Sequence, residues 1–565
     1  MAPPVRLPSP APAAPLRSAQ AASLAWLGLV LLAGAVQAVS IAWPLAAGID
    51  GWLAPGSPSA LLQIASLALL VGGLRQAPSA RAAFSRGWVF AIAWLAGSFW
   101  WLFISMHTYG GLAAPLAVLA VLALAAALGV YYALAAALWW RLARSRPAAP
   151  AVACFAGLWT LAELARGRLF TGFPWGAGGY AQVDGWLAAW APWVGVYGVG
   201  AVAAALAALL ALALAAVWPG RRPALADETP ARVSARAAAT LAALGLGMGT
   251  AGLWLDPPAT RSTGTLRLAL LQGNIAQDQK FEPGSGVPQA LNWYGAQLAR
   301  PWPGALVVAP ETAVPMLPAT LPPGYWDDLR RPYLLPSVQP VPAASASAAL
   351  IGVPLGDIAA GYTNSAVGWT AGQGEYRYDK HHLVPFGEFV PPLFRWFTDL
   401  MRIPLGDFAR GGVGQASFDW QGQRLAPNIC YEDLFGEELA ARFADPARAP
   451  TAFVNLSNIA WFGNTVAIDQ HLHISRMRAL EFARPMVRST NTGATAIIDH
   501  HAQVVAQMLP HTRGVLQGEV EGREGLTPYA RWASRFGLWP LLLAALLCVL
   551  PAALKSGLAR RAVPG

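Results

Sequence analysis

Long apolar runs alternate with short polar loops along most of the chain. A membrane-spanning helix needs about 20 apolar residues, and eight stretches approach or exceed that length. They cover residues 20–39, 59–74, 87–107, 113–140, 149–165, 190–217, 236–254 and 536–554. The second is marginal in length, and the fourth is long enough to tilt. The pattern therefore predicts a polytopic α-helical membrane domain of about eight spans.

The first stretch has a second interpretation. An Ala-x-Ala-like site near Ala35 and Gln37 is also typical of a secretory signal peptide. Its apolar run is longer than the core of a usual signal peptide, so we expect an uncleaved anchor. Residues 1–19 are rich in proline and alanine and are predicted to be a disordered tail.

The basic residues of the loops predict which side of the membrane each loop faces. Lysine and arginine accumulate in short cytoplasmic loops, and here every other loop is basic. The basic loops contain Arg6 and Arg17; Arg75, Arg81 and Arg86; Arg141, Arg144 and Arg146; Arg221, Arg222, Arg232 and Arg236; and Lys555, Arg560 and Arg561. The loops at 40–58 and 108–112 contain none. Both termini, including a tail at 555–565, are therefore predicted to be cytoplasmic.

By this count the segment 265–523 lies outside the cytoplasm, which in a bacterium is the periplasmic face of the inner membrane. Arg166 and Arg168 conflict with the count, because they fall in a loop that it also places outside.

The overall composition agrees with a membrane location. Hydrophobic residues make up 55% of the chain and charged residues 12%, and the mean hydropathy is +0.42. A net charge of +10 could indicate a nucleic-acid partner. However, the basic residues are spread through loops and do not form a stripe with interleaved aromatic residues. We therefore expect contact with anionic lipid headgroups and no nucleic acid.

The segment 265–523 has the pattern of a soluble α/β domain. The strand-like runs are "TLRLALLQ" (265–272), "GALVVAP" (304–310), "AALIGVP" (348–354), "QRLAPNIC" (423–430) and "TAFVNLS" (451–457). A helix-like stretch follows at 469–484. Strands that alternate with helices indicate a layered architecture. We therefore expect this domain to be inserted between a transmembrane domain at 20–255 and a C-terminal transmembrane helix at 536–554.

The three cysteines indicate one reactive thiol. Cys154 and Cys548 fall in predicted spans, and Cys430 stands alone in the outer domain, so no disulfide framework is available. A solitary thiol in an oxidising compartment is either buried and inert or kept for chemistry. Cys430 is followed by Glu432 and Asp433, which disfavour a thiolate. Its activation must therefore come from elsewhere in the fold, unless one of these acids is the base or both face away from the sulfur.

Lysine is rare in this chain. Of 39 basic residues only Lys280, Lys380 and Lys555 are lysines. A lysine that persists under such a bias indicates a place where a compact ammonium is needed and a planar guanidinium does not fit. Lys380 stands in "YRYDKHHLVPFGEFVP" (376–391), whose aromatic, proline and glycine residues predict a shaped loop.

Glu311 completes a chemical set with Lys380 and Cys430. It ends the strand-like run "LVVAPETAVP" (306–315), and α/β sheets place active groups at the carboxyl ends of strands. A carboxylate can take the thiol proton, an ammonium can hold that carboxylate and stabilise an oxyanion, and the thiolate can attack a carbonyl.

Motifs through nearly the whole chain carry a resemblance to a known family. They are "ELARGRLFTGFPW" (163–175), "LLQGNIAQDQKFEP" (270–283), "APETAVP" (309–315), "YDKHHLVPFGEFVP" (378–391), "NICYEDLFG" (428–436), "NLSNIAWFGNT" (455–465) and "QHLHISRMRALEFARPMVRSTNTG" (470–493). In order and completeness the sequence resembles the apolipoprotein N-acyltransferases, the membrane branch of the nitrilase superfamily. This resemblance implies a nitrilase-like α-β-β-α sandwich for the outer domain.

The resemblance also implies roles for individual residues. Glu311 would be the general base, Lys380 the oxyanion-stabilising residue and Cys430 the nucleophile, while Glu388 matches a second glutamate of the family. Tyr431 and Glu432 match the pair behind the nucleophile that helps to shape the substrate site. Phe281 stands where the better-known members have tryptophan, and its ring is expected to keep a lipid contact.

The reaction implied is a ping-pong acyl transfer. A phospholipid would acylate Cys430, and the α-amine of an S-diacylglyceryl cysteine at the N-terminus of an apolipoprotein would then accept the acyl chain. The partners implied are this phospholipid, this apolipoprotein and the membrane. No cofactor is expected, and the enzyme is expected to act as a monomer.

Other interpretations use the same residues. A membrane-tethered nitrilase-like amidase would use the same triad with water as acceptor, although it would not need so extensive a membrane domain. A non-catalytic membrane scaffold or transporter that carries an inactive nitrilase domain is disfavoured because all three triad residues are present. The histidine pairs have no zinc-site spacing. The arginines from Arg476 to Arg488 are interpreted as a helix face with ion pairs to Glu481, in preference to a phosphate clamp.

Overall fold

The structure is a computed structural model of the chain. It describes residues 14–46, 48, 53–217, 243, 245–247, 250, 259–334, 346–357, 359–390 and 408–561. The described residues before position 251 are mainly helical, and the long strands all follow residue 260.

Apolar helices form the N-terminal region. They are α1 (Ala14–Val39), α2 (Ala60–Arg75), α3 (Ala80–Ser98), α4 (Leu102–Ile104), α5 (Ala114–Ala143), α6 (Ala148–Arg168) and α7 (Ala191–Val217). Apart from Arg141 in the last turn, the exposed positions of α5 are apolar, among them Leu119 and Leu134. A helix without a polar face suits a lipid environment.

Four described helices are long and apolar enough to cross a membrane, and six if each of two bent pairs counts as one span. The bent pairs are Ala80–Ser98 with Leu102–Tyr109, and Pro528–Phe536 with Trp539–Leu554. Helix α2 has only 16 residues, and the predicted span at 236–254 lies largely outside the described residues. The structure therefore has four to six candidate spans, and the count of eight stays a prediction.

Arg166 and Arg168 lie in the last turn of α6, so the expectation that they fall in a loop was wrong. The buried guanidinium of Arg166 pairs with Glu163 at 3.2 Å. Arg168 pairs with Glu437 of the α/β part at 3.4 Å. Both side chains form ion pairs within the protein and lie in a helix, so the rule for cytoplasmic loops does not apply to them.

In the described residues from position 259 onward there are twelve strands and six further α-helices. The strands are β1 (Arg261–Gln272), β2 (Ala305–Ala309), β3 (Ala348–Asp357), β4 (Gly361–Thr370), β5 (Tyr376–Asp379), β6 (Phe418–Trp420), β7 (Gln423–Ile429), β8 (Ala452–Ser457), β9 (Met486–Thr490), β10 (Ala496–Ile498), β11 (Val504–Gln507) and β12 (Gly514–Glu524). The helices are α8 (Gly286–Leu298), α9 (Tyr325–Leu334), α10 (Gly436–Ala440), α11 (Ala467–Phe482), α12 (Pro528–Phe536) and α13 (Trp539–Arg561). The five predicted strands correspond to β1, β2, β3, β7 and β8, and the predicted helix to α11.

The strands form two six-stranded sheets. Their orders are β12-β1-β2-β3-β4-β5 and β11-β10-β9-β8-β7-β6. Strands β1, β2 and β3 are parallel to one another, and so are β7, β8 and β9. The carboxyl ends of these parallel strands therefore lie at one edge of each sheet.

Three apolar clusters hold the layers together. The first joins the two sheets, with Leu268 and Val308 from one and Ile429 and Leu456 from the other. The second packs α8 and α9 on the first sheet. The third continues from the second sheet through α11 and α12 into the N-terminal helices. Burying each such aliphatic side chain contributes about 1.5–3 kcal/mol, so the sheet edge is fixed relative to the apolar helices.

Candidate active site

The three residues predicted to carry the chemistry each follow the carboxyl end of a strand. Glu311 lies shortly after β2, Lys380 directly after β5 and Cys430 directly after β7. Strands β2 and β5 belong to the first sheet and β7 to the second. The structure therefore brings the predicted triad together where the ends of the two sheets meet.

Lys380 joins the two predicted glutamates. Its Nζ lies 3.2 Å from Glu311 Oε1 and 2.9 Å from Glu388 Oε1. Asn364 of β4 donates its Nδ2 hydrogens to the same two oxygens at 2.7 Å each. Glu388 Oε2 also accepts from the main-chain N–H of Val384 at 2.8 Å. These contacts offset the cost of burying three charged groups and fix the loop that follows β5.

The cluster decides the protonation of Glu311 and Lys380. Burial disfavours the charge of Glu311, but Lys380 and Lys280 outweigh it and hold the pKa of Glu311 below its ordinary value. Burial also disfavours the charge of Lys380, yet Glu311 and Glu388 raise its pKa above the ordinary value. Glu311 is therefore a carboxylate and Lys380 an ammonium at neutral pH, as a general base and its cationic partner must be.

Cys430 has an unusual backbone conformation. Its φ of 53° lies in the left-handed region, at the junction of β7 with the short 3-10 helix Cys430–Leu434. Such a conformation costs about 1–3 kcal/mol in a residue with a side chain, and it occurs preferentially at active sites. The turn leaves the side chain half-buried.

The thiol of Cys430 is protonated at rest. Burial raises its pKa to about 12 and the Glu311 carboxylate acts in the same direction, whereas Lys380 and the main-chain N–H of Asn458 oppose them. The same N–H of Asn458 donates to Glu311 Oε2 at 2.9 Å. Cys430 is therefore a neutral thiol beside the ionised carboxylate of Glu311, and its proton must be removed while the sulfur attacks a substrate carbonyl.

Glu432 is occupied by contacts away from the sulfur. Its carboxylate accepts from the main-chain N–H groups of Ile429 and His381 at 2.6 Å each. It also accepts from the Tyr378 hydroxyl at 2.8 Å. Glu432 therefore ties the strand before the nucleophile to the loop after β5, and it is not placed to be the base.

Asp433 faces a buried basic pair. Its carboxylate lies 3.0 Å from His471 Nε2 and 3.3 Å from Arg488 Nη1. Arg488 Nη2 donates to His471 Nδ1 at 3.0 Å, so the imidazole proton resides on Nε2. That nitrogen also lies 3.3 Å from the main-chain oxygen of Cys430. The second acid thus supports the backbone of the nucleophile, and the interpretation that both acids face away is confirmed.

Tyr431 contacts the helical region. Its hydroxyl donates to the main-chain oxygen of Gly172 at 3.1 Å, and its ring stacks on Phe173 with centroids 6.3 Å apart. Both partners belong to the motif at 163–175. Arg166 holds this segment by donating to two of its main-chain oxygens at 2.7 Å each. The apolar helices therefore reach the residue directly behind the nucleophile.

Phe281 and Lys280 lie next to each other with opposite exposure. Phe281 is 52% exposed, whereas Lys280 is 1% exposed. Lys280 Nζ donates to the main-chain oxygen of Glu311 at 3.0 Å. The sequence drew attention to Lys280 through the rarity of lysine but gave it no role. The structure therefore adds a second ammonium to the predicted site.

The arginines of the α11 region are only partly as predicted. Arg478 pairs with Glu481 at 3.1 Å, as expected for a helix face. Arg476 instead pairs with Asp184 of the helical region, and Arg488 with Asp433. The stretch therefore connects the catalytic residues, the α/β layers and the apolar helices.

Comparison with known proteins decides the family. Two family models match, apolipoprotein N-acyltransferase N-terminal domain over residues 46–209 and carbon-nitrogen hydrolase over residues 267–529. An apolipoprotein N-acyltransferase of Verminephrobacter eiseniae is 56% identical over 91% of this chain and 94% of that protein. Another, of Ralstonia nicotianae, is 44% identical over 83% and 85%. The chain belongs to the apolipoprotein N-acyltransferase family.

Membership of the apolipoprotein N-acyltransferase family confirms the resemblance and makes the protein an acyltransferase with a carbon-nitrogen hydrolase domain. Among solved structures, a carbon-nitrogen hydrolase from Helicobacter pylori G27 is 15% identical, with a TM-score of 0.32 over 50% of this chain and 95% of that chain. Among the described residues, no group of three or more His, Cys, Asp or Glu side chains could hold a metal ion.

Proposed function

We propose that the protein transfers an acyl chain from a phospholipid to the α-amine of the S-diacylglyceryl cysteine at the N-terminus of an apolipoprotein, as the last step of bacterial lipoprotein maturation. The observation that carries this proposal is the buried Glu311–Lys380 pair beside Cys430, whose neighbour Tyr431 is bonded to Gly172 of the helical region. One part of the chain supplies acyl-transfer groups and the other supplies access to lipid.

In the first half-reaction Cys430 attacks an ester carbonyl of the phospholipid. The thiol proton passes to Glu311 as the carbon–sulfur bond forms. When the tetrahedral intermediate collapses, the carbon–oxygen bond breaks and the leaving alkoxide takes the proton from Glu311. The products are a thioester and a lysophospholipid.

Lys380 stabilises the negative charge that develops on the carbonyl oxygen. Its contacts with Glu311 and Glu388 use two of its three N–H groups among the described residues, and the third is free to donate to an oxyanion. Glu388 holds Lys380 in this position.

In the second half-reaction the neutral α-amine of the apolipoprotein attacks the thioester. Glu311 takes the proton that the amine loses, the carbon–sulfur bond breaks, and the thiolate recovers that proton. An amide results because a thiolate leaves more readily than an amine. The cycle is ping-pong.

Residues around the triad shape the substrate site. Tyr431 and Glu432 position the backbone on either side of the nucleophile through their contacts with Gly172 and Ile429. The half-exposed ring of Phe281 contacts an acyl chain. Water must be excluded while the thioester waits for the amine, because hydrolysis would release a free fatty acid.

The finer organisation of the chain is part of this proposal. We infer eight spans, a transmembrane domain at 20–255, a catalytic domain at 265–523 on the periplasmic face and a last span at 536–554. The alternating basic loops support this orientation in the bacterial inner membrane. The two sheets with helices packed on their outer faces support an α-β-β-α sandwich, and we expect a monomer.

A direct test looks for the thioester. The purified protein is incubated with a phospholipid that carries a labelled acyl chain, then denatured and treated with hydroxylamine. We expect hydroxylamine-sensitive label in the wild type and in Cys548→Ala, and none in Cys430→Ala. Label at the wild-type level in Cys430→Ala would exclude Cys430 as the nucleophile.

The same labelled protein separates transfer from hydrolysis. Addition of a diacylglyceryl peptide with a free N-terminal amine is expected to move the label into an amide. A membrane-tethered amidase would instead release free fatty acid at a rate that does not depend on the peptide.

A further inference from the structure

Lys280 is a buried ammonium to which the mechanism above gives no task. It lies between β1 and α8, and its Nζ is 3.0 Å from the main-chain oxygen of Glu311. Lys380 approaches the same residue at the carboxylate. The general base is therefore held between two ammonium groups that come from different loops.

A hydrogen bond to this carbonyl does not by itself require a charge. The Glu311 oxygen already accepts from the hydroxyl of Thr312 at 2.8 Å. Among the residues that the structure describes, the Nζ of Lys280 donates only to this carbonyl, and a buried ammonium held in this way is unfavourable unless negative charge lies near. Burial lowers the pKa of Lys280 to about 8, and Glu311 and then Cys430 oppose that effect. The lysine is thus tied electrostatically to both reacting groups.

The charges of the site balance only when Lys280 is counted. Glu311 and Glu388 supply two negative charges, and Lys380 and Lys280 supply two positive ones. The other charged groups that face the cluster are occupied. Asp433 is paired with Arg488 behind the nucleophile, and Glu432 accepts four hydrogen bonds from the surrounding chain.

We propose that Lys280 is a positioning residue that supplies the second positive charge of the site, which keeps Glu311 ionised and eases formation of the Cys430 thiolate. The proposal rests on the roles of Glu311 and Cys430 proposed above. As the thiol proton moves to Glu311, the negative charge moves from carboxylate to sulfur. Lys280 interacts with both positions, so it stabilises the site before and after the transfer.

Two variants separate the charge of Lys280 from its hydrogen bond. Lys280→Gln keeps a donor for the Glu311 carbonyl and removes the charge, whereas Lys280→Arg keeps the charge. Gln279→Met is the matched control, because Gln279 is the exposed neighbour in the same loop. Single-turnover acylation of Cys430 by the labelled phospholipid is measured between about pH 3 and pH 9, a range that extends below the ordinary glutamate pKa of about 4.3.

The acid limb is the part of the pH profile in which the acylation rate falls as Glu311 becomes protonated. In Lys280→Gln we expect this limb to move up by about 1–3 pH units, because a positive charge beside a carboxylate lowers its pKa by that amount. Lys280→Arg should return the limb toward its wild-type position, even at a lower maximal rate. Gln279→Met should not move it. An unchanged limb in Lys280→Gln, with only a lower maximal rate, would overturn the proposal and leave a structural role.

A second readout does not depend on the phospholipid. At pH 7, where Lys280 keeps its positive charge, the rate of alkylation of Cys430 by iodoacetamide follows its small thiolate fraction. We expect this rate to fall about tenfold in Lys280→Gln for each unit by which the thiol pKa rises. If the wild type is not acylated, the proposed function fails while this readout still tests the charge of Lys280. An equal alkylation rate in wild type and Lys280→Gln would reject the charge effect.

Discussion

Tyr431 donates its hydroxyl hydrogen to the main-chain oxygen of Gly172 at 3.1 Å, across 259 positions of sequence. The two residues connect the apolar helices to the 3-10 helix that begins with the nucleophile. Arg166 holds the same loop from the side of α6. A continuous set of side-chain contacts therefore joins the helical region to the residue next to Cys430.

Removal of this contact should slow acylation more than it lowers stability. A net hydrogen bond contributes about 1 kcal/mol, so Tyr431→Phe should slow thioester formation by about fivefold. The matched control is Tyr376→Phe, which removes a hydroxyl that donates to the main-chain oxygen of Ala416 at 2.7 Å. Single-turnover labelling and thermal unfolding should be measured for both variants. Equal labelling rates would show that the Gly172 contact has no part in positioning the nucleophile.

Lys380→Arg should be nearly inactive although it keeps the charge. A planar guanidinium cannot place single donors on Glu311, Glu388 and an oxyanion as a compact ammonium does. Loss of one such donor costs about 10²–10³-fold in rate. Thioester formation should be compared with that of Lys555→Arg, a change in the C-terminal part of α13. Near wild-type activity in Lys380→Arg would contradict the inference, drawn from the rarity of lysine, that this position needs a compact ammonium.

The depressed pKa of Glu311 predicts activity on the acid side. The pKa of Glu311 is lower in the folded state than in the unfolded chain, where it is about 4.3. The ionised carboxylate therefore stabilises the fold at pH values above the unfolded pKa, and this stabilisation is lost as the pH falls through the folded pKa. Acylation should therefore persist below pH 5 and fail only at lower pH. Glu311→Gln should form no thioester at any pH, while Glu519→Gln, at an exposed surface pair, should behave as wild type. A wild-type acid limb near neutrality would contradict the predicted ionisation.

Arg166 and Arg168 offer a comparison within one helix turn. Arg166→Met removes the ionic partner of the buried Glu163 and the donor to two main-chain oxygens, which should cost about 3–5 kcal/mol of unfolding free energy. Arg168 is 55% exposed, so Arg168→Met should cost less than about 1 kcal/mol. Thermal unfolding in detergent, followed by tryptophan fluorescence, measures both. Similar shifts in the two variants would refute the structural role of the buried pair.

The orientation of the chain can be tested by labelling in spheroplasts. In a variant that lacks Cys430, Val413→Cys should react with a membrane-impermeant thiol reagent, because Val413 is 50% exposed in the catalytic domain. Glu228→Cys, in a predicted cytoplasmic loop, should react only after the membrane is opened. The reverse pattern would place the catalytic domain in the cytosol.

Local pattern was sufficient for much of the fold. The strands β1, β2, β3, β7 and β8 are short apolar runs bounded by turns, so their sequence alone indicated them. Strand β4 was missed because "GYTNSAVGWT" (361–370) mixes glycine and polar residues and has no clear alternation. Its burial comes from neighbouring strands, and Asn364, which it contributes to the site, carried no sequence signal.

The amino-acid sequence by itself determined the lipid-compatible helices, the α/β part, the motif family and the residues Glu311, Lys380 and Cys430. Each of these depends on hydropathy, periodicity or a short motif that neighbouring residues define. Only the tertiary structure decided that Glu432 and Asp433 face away from the thiol, that Arg166 is buried and that Lys280 reaches Glu311. Such facts depend on distances between groups that are far apart in the sequence. Lys380 and Glu311, for example, are separated by 69 positions. Electrostatic energies follow those distances and the burial of each group, and neither is encoded locally.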